Sequence, residues 1–416
     1  VPPMDTYVEL DTHLPDHYLT LKDNIHRFAR EVMRPTAAAL DRLADPAAVI
    51  AASSPLWDFL KQAYRLGYNK AAFPAQFGGL GLSGLGLHIY LEELGWGSAD
   101  LALTLGIAGM PFGALALTGD PELIGKYVAP FVQDREARYI GCWPVTEPMH
   151  GSDWITANWG GARDDLAGHV IARRDGDSYV ISGQKAAWVS NGTIATHGLV
   201  ILIADPSRGA VLGRGIAFVP FDLPGVSKGK PLDKLGQRAL NQGEIFFDEV
   251  RIPSSYMLVA PDKPADPAAA GRGGGPNAML GAVFTGVARA AFEIALDYSK
   301  ERIQGGKPIC QHQLVQKRLF EMFTKVEACR LLSRAAITYN TDAPVPAIEY
   351  SIASKTFCTQ AAFEVASDAL QMMGGNGLSK EYPIEKIFRD ARAALIEDGT
   401  NDVLSLAGAL LVLGRS

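Results

Sequence analysis

The sequence is poor in cysteine, and its few cysteines are scattered. Cys142, Cys310, Cys329 and Cys358 stand far apart among 416 residues, with no CxxC spacing. That excludes the usual zinc and dithiol redox patterns and fits reduced thiols in a reducing compartment. The eight histidines form no HExxH pattern and no clustered ligand set, so no metal is expected. Basic runs are missing too: the strongest cluster is the Lys317-Arg318 pair, and the formal charge is -6. A nucleic-acid binder would carry a basic face, so none is expected to bind. No apolar run reads as reaching the about 20 residues of a bilayer span. The first residues, Val1-Pro2-Pro3-Met4-Asp5, lead into acidic and polar residues rather than a basic and then apolar signal. The expectation is a cytoplasmic protein without a membrane partner.

What is present divides the chain into three regions. Hydrophobic residues make up 48% and charged residues 20%, enough for two or three units with real cores. From about Leu19 to Phe131 the apolar spacing is helical, as in Leu56, Trp57, Leu60, Ala63 and Leu66. The Pro- and Gly-containing stretch from Phe73 to Leu82 interrupts it. Between about Tyr139 and Pro253, short β-prone runs such as Ser178–Gly183 and Leu199–Ile203 predict an antiparallel barrel or sandwich. A Pro/Ala/Gly-rich stretch follows and reads as a linker. Beyond it, long amphipathic patterns (Met279 to Tyr298, Val315 to Leu332, Ala353 to Met373, then the short Leu404 to Leu413) predict an antiparallel bundle. The expected fold class is therefore α+β: an N-terminal helical domain over 1–138, a middle β-barrel or sandwich over 139–258, a linker over 259–276, and a four-helix bundle over 277–416.

Four segments offer more than packing. Val145-Thr146-Glu147-Pro148 runs into Gly151-Ser152-Asp153, with hydroxyls and free N–H groups suited to a ring edge or phosphate. Trp188 and Ser190, two apart on an expected strand, would share one face. Arg302, a Gly305-Gly306 pair and Gln313 provide donors for a pyrophosphate. The Gly374-Gly375-Asn376-Gly377 turn allows close backbone approach, and Glu397-Asp398 places acids before Gly399-Thr400. Each also has a plain structural reading as a turn, strand end or helix hairpin.

Their order is specific. Together with Phe77-Gly78-Gly79-Leu80-Gly81-Leu82, Gly183-Gln184-Lys185, Asn191-Gly192, Glu301-Arg302, His312-Gln313, Glu381-Tyr382-Pro383 and Arg389-Asp390-Ala391, they make the chain resemble the acyl-CoA dehydrogenase family from about Leu66 to Leu413. The resemblance implies FAD as cofactor. Trp143, Val145, Thr146, Gly151 and Ser152 would line the flavin, with Trp188 and Ser190 beside it. Arg302, Gln313, Gln371, Gly374 and Gly375 would reach the ADP part, commonly in a neighbouring subunit, and Thr400 and Asp402 complete the expected cofactor set. Ser152 and Gly399 would also touch the acyl-CoA substrate. The family's usual assembly, a dimer of dimers, and its usual electron acceptor, an electron-transfer flavoprotein, are the implied partners.

The resemblance implies α,β-dehydrogenation by a carboxylate that removes the α-proton while a hydride leaves the β-carbon. Many relatives place Glu directly before Gly-Thr; here the aligned residue is Asp398, with Glu397 one earlier. Adjacent residues do not face the same way, and alignment selects Asp398. Asp is shorter by about 1.5 Å. Relatives with Asp here include dehydrogenases of alicyclic acyl-CoAs. Nitroalkane oxidase, another such relative, pairs its Asp with an Arg seven residues on, where this chain has Ser405. Asn277 falls where many relatives carry Arg. Both departures lean toward a cyclic or branched acyl group. A flavin oxidase or lyase on the same scaffold, and a non-catalytic flavin-bearing subunit, are the competing expectations.

Overall fold

The computed structural model describes residues 14–153, 168–262, 275–343 and 345–414. The first residues of the chain and most of the expected linker lie outside them. The architecture is the one expected: helices, then a sheet, then helices.

In the first domain, Asp16–Phe28 passes through a π turn at Ala29–Met33 into Arg34–Asp41. Pro55–Arg65 starts where Ser54 accepts the Leu56 N–H at 3.2 Å, with proline at the first helical position. Helix Gly84–Gly97 is buried on nearly every side, so its sequence shows no polar face. It packs directly on the C-terminal bundle. A Cβ on Gly95 would fall 1.9 Å from the Val283 carbonyl oxygen, and one on Gly286 would fall 1.9 Å from that of Glu92. Only glycine permits this backbone-to-backbone approach.

Among the described residues, the middle domain is one eight-stranded sheet. Its strands are β1 (Gly141–Cys142), β2 (Ile171–Asp175), β3 (Ser178–Lys185), β4 (His197–Ile203), β5 (Arg214–Pro220), β6 (Val226–Lys228), β7 (Ile245–Pro253) and β8 (Met257–Val259). They lie in the order β6-β7-β3-β2-β4-β5-β8, with β1 also on β4. The expected antiparallel pattern holds except that β1 and β2 both pair parallel to β4, so the sheet is mixed. Strand propensity does not encode direction: the Thr196 N–H and the His197 N–H both donate to Ile140 O, which sets β1 alongside β4.

The bundle consists of Gly275–Glu301, Gln313–Asp342, Ile348–Met373 and Asn401–Val412, with the additional helix Ile384–Ala393 before the last. Two details depart from the sequence reading. The Arg302-to-Gln313 connection carries a small hairpin, Ile303–Gln304 against Lys307–Pro308, because Gly305 and Gly306 both adopt positive φ. Two segments, Ala99–Thr118 and Gly275–Glu301, do have the length and apolarity of a bilayer span, with mean hydropathy 1.7 and 1.5. Burial within the protein accounts for that character, covering 56% and 78% of the two stretches.

Buried charge ties the first domain to the bundle. Arg289 donates to Glu92 at 3.0 Å and to both oxygens of Glu93 at 2.8 and 2.5 Å. Arg330 reaches Glu92 at 2.9 Å, and His26 meets Glu93 at 2.8 Å.

Candidate active site

The two adjacent acids part company in the turn before the last helix. Asp398 and Gly399 both take left-handed backbone, with φ of 50° and 96°. Aspartate tolerates that region better than most residues, so the shorter acid suits this backbone. The reversal sends Glu397 toward the middle domain, where it accepts from Gln237 Nε2 at 3.0 Å. Asp398 stays accessible from solvent at the surface, with protein packed closely around its carboxyl. That crowding raises its carboxyl above the ordinary value, with Lys355 partly opposing the rise.

Glu397 is pushed up to about 7, chiefly by burial and partly offset by Gln237. A carboxyl with a raised value in the folded state stabilises fully below its ordinary value of 4.5 and loses that contribution as pH rises through about 7. Glu397→Gln keeps the acceptor for Gln237 and removes the titration. Its melting temperature relative to wild type is therefore expected to be higher at pH 8 than at pH 5, by about 2 °C, in scanning calorimetry.

The turn is fastened from two directions. Thr400 caps helix Asn401–Val412, its hydroxyl accepting the Val403 N–H at 3.4 Å, while its own N–H donates to Ser152 Oγ at 3.1 Å. Ser152 thus joins the middle domain to the acidic turn. From below, Lys355 Nζ donates to Gly399 O and to Asn401 Oδ1, both at 2.8 Å.

The Trp143-to-Ser152 segment is held by a buried ion pair between Glu147 and Lys185 at 2.8 Å. Lys185 also donates to Val145 O at 3.0 Å, and the Ala186 N–H to Thr146 O at 2.9 Å. Burial pushes the Lys185 ammonium down to about 8, with Glu147 opposing that fall. Beside this segment a cleft of about 620 Å³ is lined by Thr146, Met149, Gly151, Gln184, Trp188 and others. The Trp188 side chain stands 57% exposed there. Trp143, Val145 and Ile216 pack against Ile201 and Ile203. A second cleft of about 330 Å³, between Trp96 and Lys386, contains none of the expected site residues.

One expectation is corrected. Trp188 and Ser190 are not on a strand: β3 ends at Lys185, and Trp188 sits in a turn. Gln242 Nε2 pins this turn by donating to Trp188 O and Ser190 Oγ, each at 3.2 Å. Asn191 then takes a φ of 60°, and its side chain donates to Thr104 O and Gly141 O. Tertiary partners thereby override the alternation that placed the two side chains on one face.

Arg302, Gln313, Gln371, Gly374 and Gly375 are all exposed. Tyr298, one turn before Arg302, accepts from Asn376 Nδ2 at 3.1 Å, which brings the Arg302 end beside the glycine turn. Asp402 lies exposed in the first turn of the last helix. Gln237 and Lys355 were not among the expected site residues. Lys355 carried a signal: it is a lysine within the buried stripe Ile352, Thr359, Ala362 and Ala366.

Three sequence profiles match the chain in order: acyl-CoA dehydrogenase N-terminal domain over 15–135, middle domain over 142–250 and C-terminal domain over 277–409. The chain belongs to the acyl-CoA dehydrogenase family. It is 33% identical to the cyclohexane-1-carbonyl-CoA dehydrogenase of Geobacter metallireducens over 402 residues, 94% of this chain and 96% of that protein. It is 32% identical to the mitochondrial short-chain specific acyl-CoA dehydrogenase of Bos taurus, over 97% of this chain and 92% of that one. The glutaryl-CoA dehydrogenase solved with glutaryl-CoA superposes with a TM-score of 0.84 at 26% identity, covering 98% of each chain. The protein is accordingly an oxidoreductase acting on acyl-CoA, and its cofactor is FAD.

The residues present fit a flavin. Trp143 Nε1 is buried without a hydrogen-bond partner among the described residues, a state that costs free energy unless a ligand supplies an acceptor. Gly151 lines the cleft and has open space where a Cβ would point, as do Gly374 and Gly375 at the far turn.

Proposed function

We propose that Asp398 is the base of an α,β-dehydrogenation of an acyl-CoA thioester, and that the acyl group is cyclic or branched. The observation that carries the reading is the left-handed turn at Asp398. It leaves the Asp398 carboxylate exposed while Glu397 is committed to Gln237.

FAD, when bound, supplies the hydride acceptor. Trp143, Val145, Thr146, Gly151, Ser152, Trp188 and Ser190 would hold its ring system, with Thr400 and Asp402 nearby. Asp398 takes the α-proton; its raised proton affinity makes it a better acceptor than a free carboxylate. Ser152 and Lys355 hold the turn that carries it.

Two further facts support the alicyclic or branched substrate. The first is the likeness to a cyclohexane-1-carbonyl-CoA dehydrogenase. The second is Asn277, where many relatives have Arg; its Oδ1 is buried without a partner among the described residues. Anaerobic mixing with a panel of CoA esters tests this. Cyclohexane-1-carbonyl-CoA should bleach the flavin at least about tenfold faster than butyryl-CoA, a gap within reach of pocket fit. Faster bleaching by the straight chain would sink the substrate assignment.

Electrons would pass to an electron-transfer flavoprotein. Assembly as a dimer of dimers is supported by position. Lys355, beneath the acidic turn, lies about 28 Å along its helix from Gly374. The two sets of cofactor residues therefore sit near opposite ends of the bundle, and the Arg302–Gln313–Gln371–Gly374–Gly375 set serves a neighbouring subunit's FAD. Leu314, Phe320 and Leu331 stand 82%, 68% and 65% exposed on helix Gln313–Asp342, an apolar surface suited to burial between subunits. Phe320→Asp is expected to lower the mass seen by light scattering and to release FAD on gel filtration. An unchanged mass with FAD retained would count against the interface. The four free thiols fit a reducing, cytoplasmic setting, and we propose domain boundaries at 138/139 and a linker over 259–276.

A further inference from the structure

Lys355 stands out because it is buried at 0% exposure and its ammonium donates twice into the acidic turn. One donor goes to the carbonyl of Gly399, the residue directly after Asp398. Another goes to the side chain of Asn401, whose amide donates in turn to Thr359 Oγ1 at 3.0 Å and Thr356 O at 3.3 Å. Lys355, Thr356 and Thr359 all belong to helix Ile348–Met373. One cation therefore anchors the carbonyl that follows the base to a rigid helix of the bundle.

Burying an ammonium is costly. A packed apolar side chain with a backbone contact elsewhere would hold two helices together at lower cost. The cation also lies beside the carboxylates: burial pushes Lys355 down to about 8, with Glu397 and Asp398 opposing that fall. The charged groups facing Glu397 and Asp398 are Lys355 from the bundle and Lys234 from the middle domain, and the two acids face each other. Of the two lysines, Lys355 is the one that acts on Asp398.

We propose that Lys355 is a positioning residue for proton abstraction: by clamping Gly399 O and Asn401 it sets the left-handed turn that carries the Asp398 carboxylate and places a positive charge beside it. The proposal rests on the reading of Asp398 as the base.

The test compares Lys355→Met, Lys355→Gln and Lys355→Arg with Asp398→Asn in the FAD-loaded enzyme. Lys355→Met should lower kcat about 100-fold, the scale of a misplaced reacting group, with KM changed less than about threefold. The acid limb of kcat/KM against pH should move upward, because removing a nearby positive charge raises a carboxyl. Deuterium wash-in at the substrate α-carbon, which reads proton transfer without oxidation, should fall in step with kcat. Lys355→Arg should leave the acid limb in place. If Lys355→Met does not fold, Lys355→Gln keeps donors without charge and should still shift the acid limb upward. An acid limb at the wild-type position in the neutral variants, with Asp398→Asn inactive, overturns the role of Lys355 alone. Wild-type rates in Asp398→Asn overturn the base assignment beneath it.

Discussion

Asp398→Asn is expected to lower the rate of flavin reduction by an acyl-CoA by about 1000-fold or more, within the range for loss of a general base. That corresponds to about 4 kcal/mol of barrier. Asparagine matches aspartate in shape and tolerates left-handed backbone, so the turn should survive. What disappears is the proton acceptor. FAD content and the melting temperature should stay close to wild type, and anaerobic stopped-flow measurement of flavin bleaching reads the effect directly. The pH dependence of the wild-type enzyme follows from the same group. The base must be ionised, and crowding by protein raises its carboxyl, so kcat/KM should fall as pH drops through a value above that of free aspartate. Asp398→Glu extends the carboxylate by about 1.5 Å and places a residue less suited to positive φ. Activity should be reduced but measurable. An Asp398→Asn enzyme that bleaches at the wild-type rate would falsify the assignment.

The second large effect concerns stability. Arg289→Met is expected to destabilise the fold by about 3–5 kcal/mol, because Glu92 and Glu93 would remain buried with much of their compensation gone. Burial pushes the Glu93 carboxyl up, but Arg289 and His26 more than offset this and hold it below its ordinary value. Such a group stabilises above the unfolded value of 4.5, and the contribution is lost as pH falls through the lower folded value. Wild type should therefore lose stability as pH falls from 4.5 toward the lower folded value. In Arg289→Met that acid dependence should be weaker and the loss already present at neutral pH. Urea titration at about pH 3 and at pH 7 checks both. The damage should appear as loss of the contact between the first domain and the bundle, since Arg289 lies on helix Gly275–Glu301 and both acids on Gly84–Gly97.

The parts of this protein that could be read from its sequence share one property: they are local. Helix period, strand-prone runs and glycine-rich turns depend on near neighbours, so the helix–sheet–helix order and the long bundle helices emerged directly. The ordered motifs from Phe77 to Thr400 were enough to point to the family, and the full-length matches agree. The failures were equally local in origin. Alternation placed Trp188 and Ser190 on a strand, but Gln242, far along the chain, pins that segment as a turn. Composition found no membrane-length apolar segment, yet Gly275–Glu301 is one, because a helix enclosed on all sides by protein needs no polar face.

The sequence by itself determined the family, the cofactor and the presence of two adjacent acids before Gly399. Only the tertiary structure decided how those acids divide the work. Glu397 is taken up by Gln237 from another domain, Ser152 crosses between domains to the Thr400 N–H, and Lys355 rises from a bundle helix to Gly399 O. These contacts join residues 44 to 248 positions apart in the chain. No periodicity or spacing encodes them. They exist because a buried ammonium, amide or hydroxyl must find a partner, and only the folded chain brings that partner within reach.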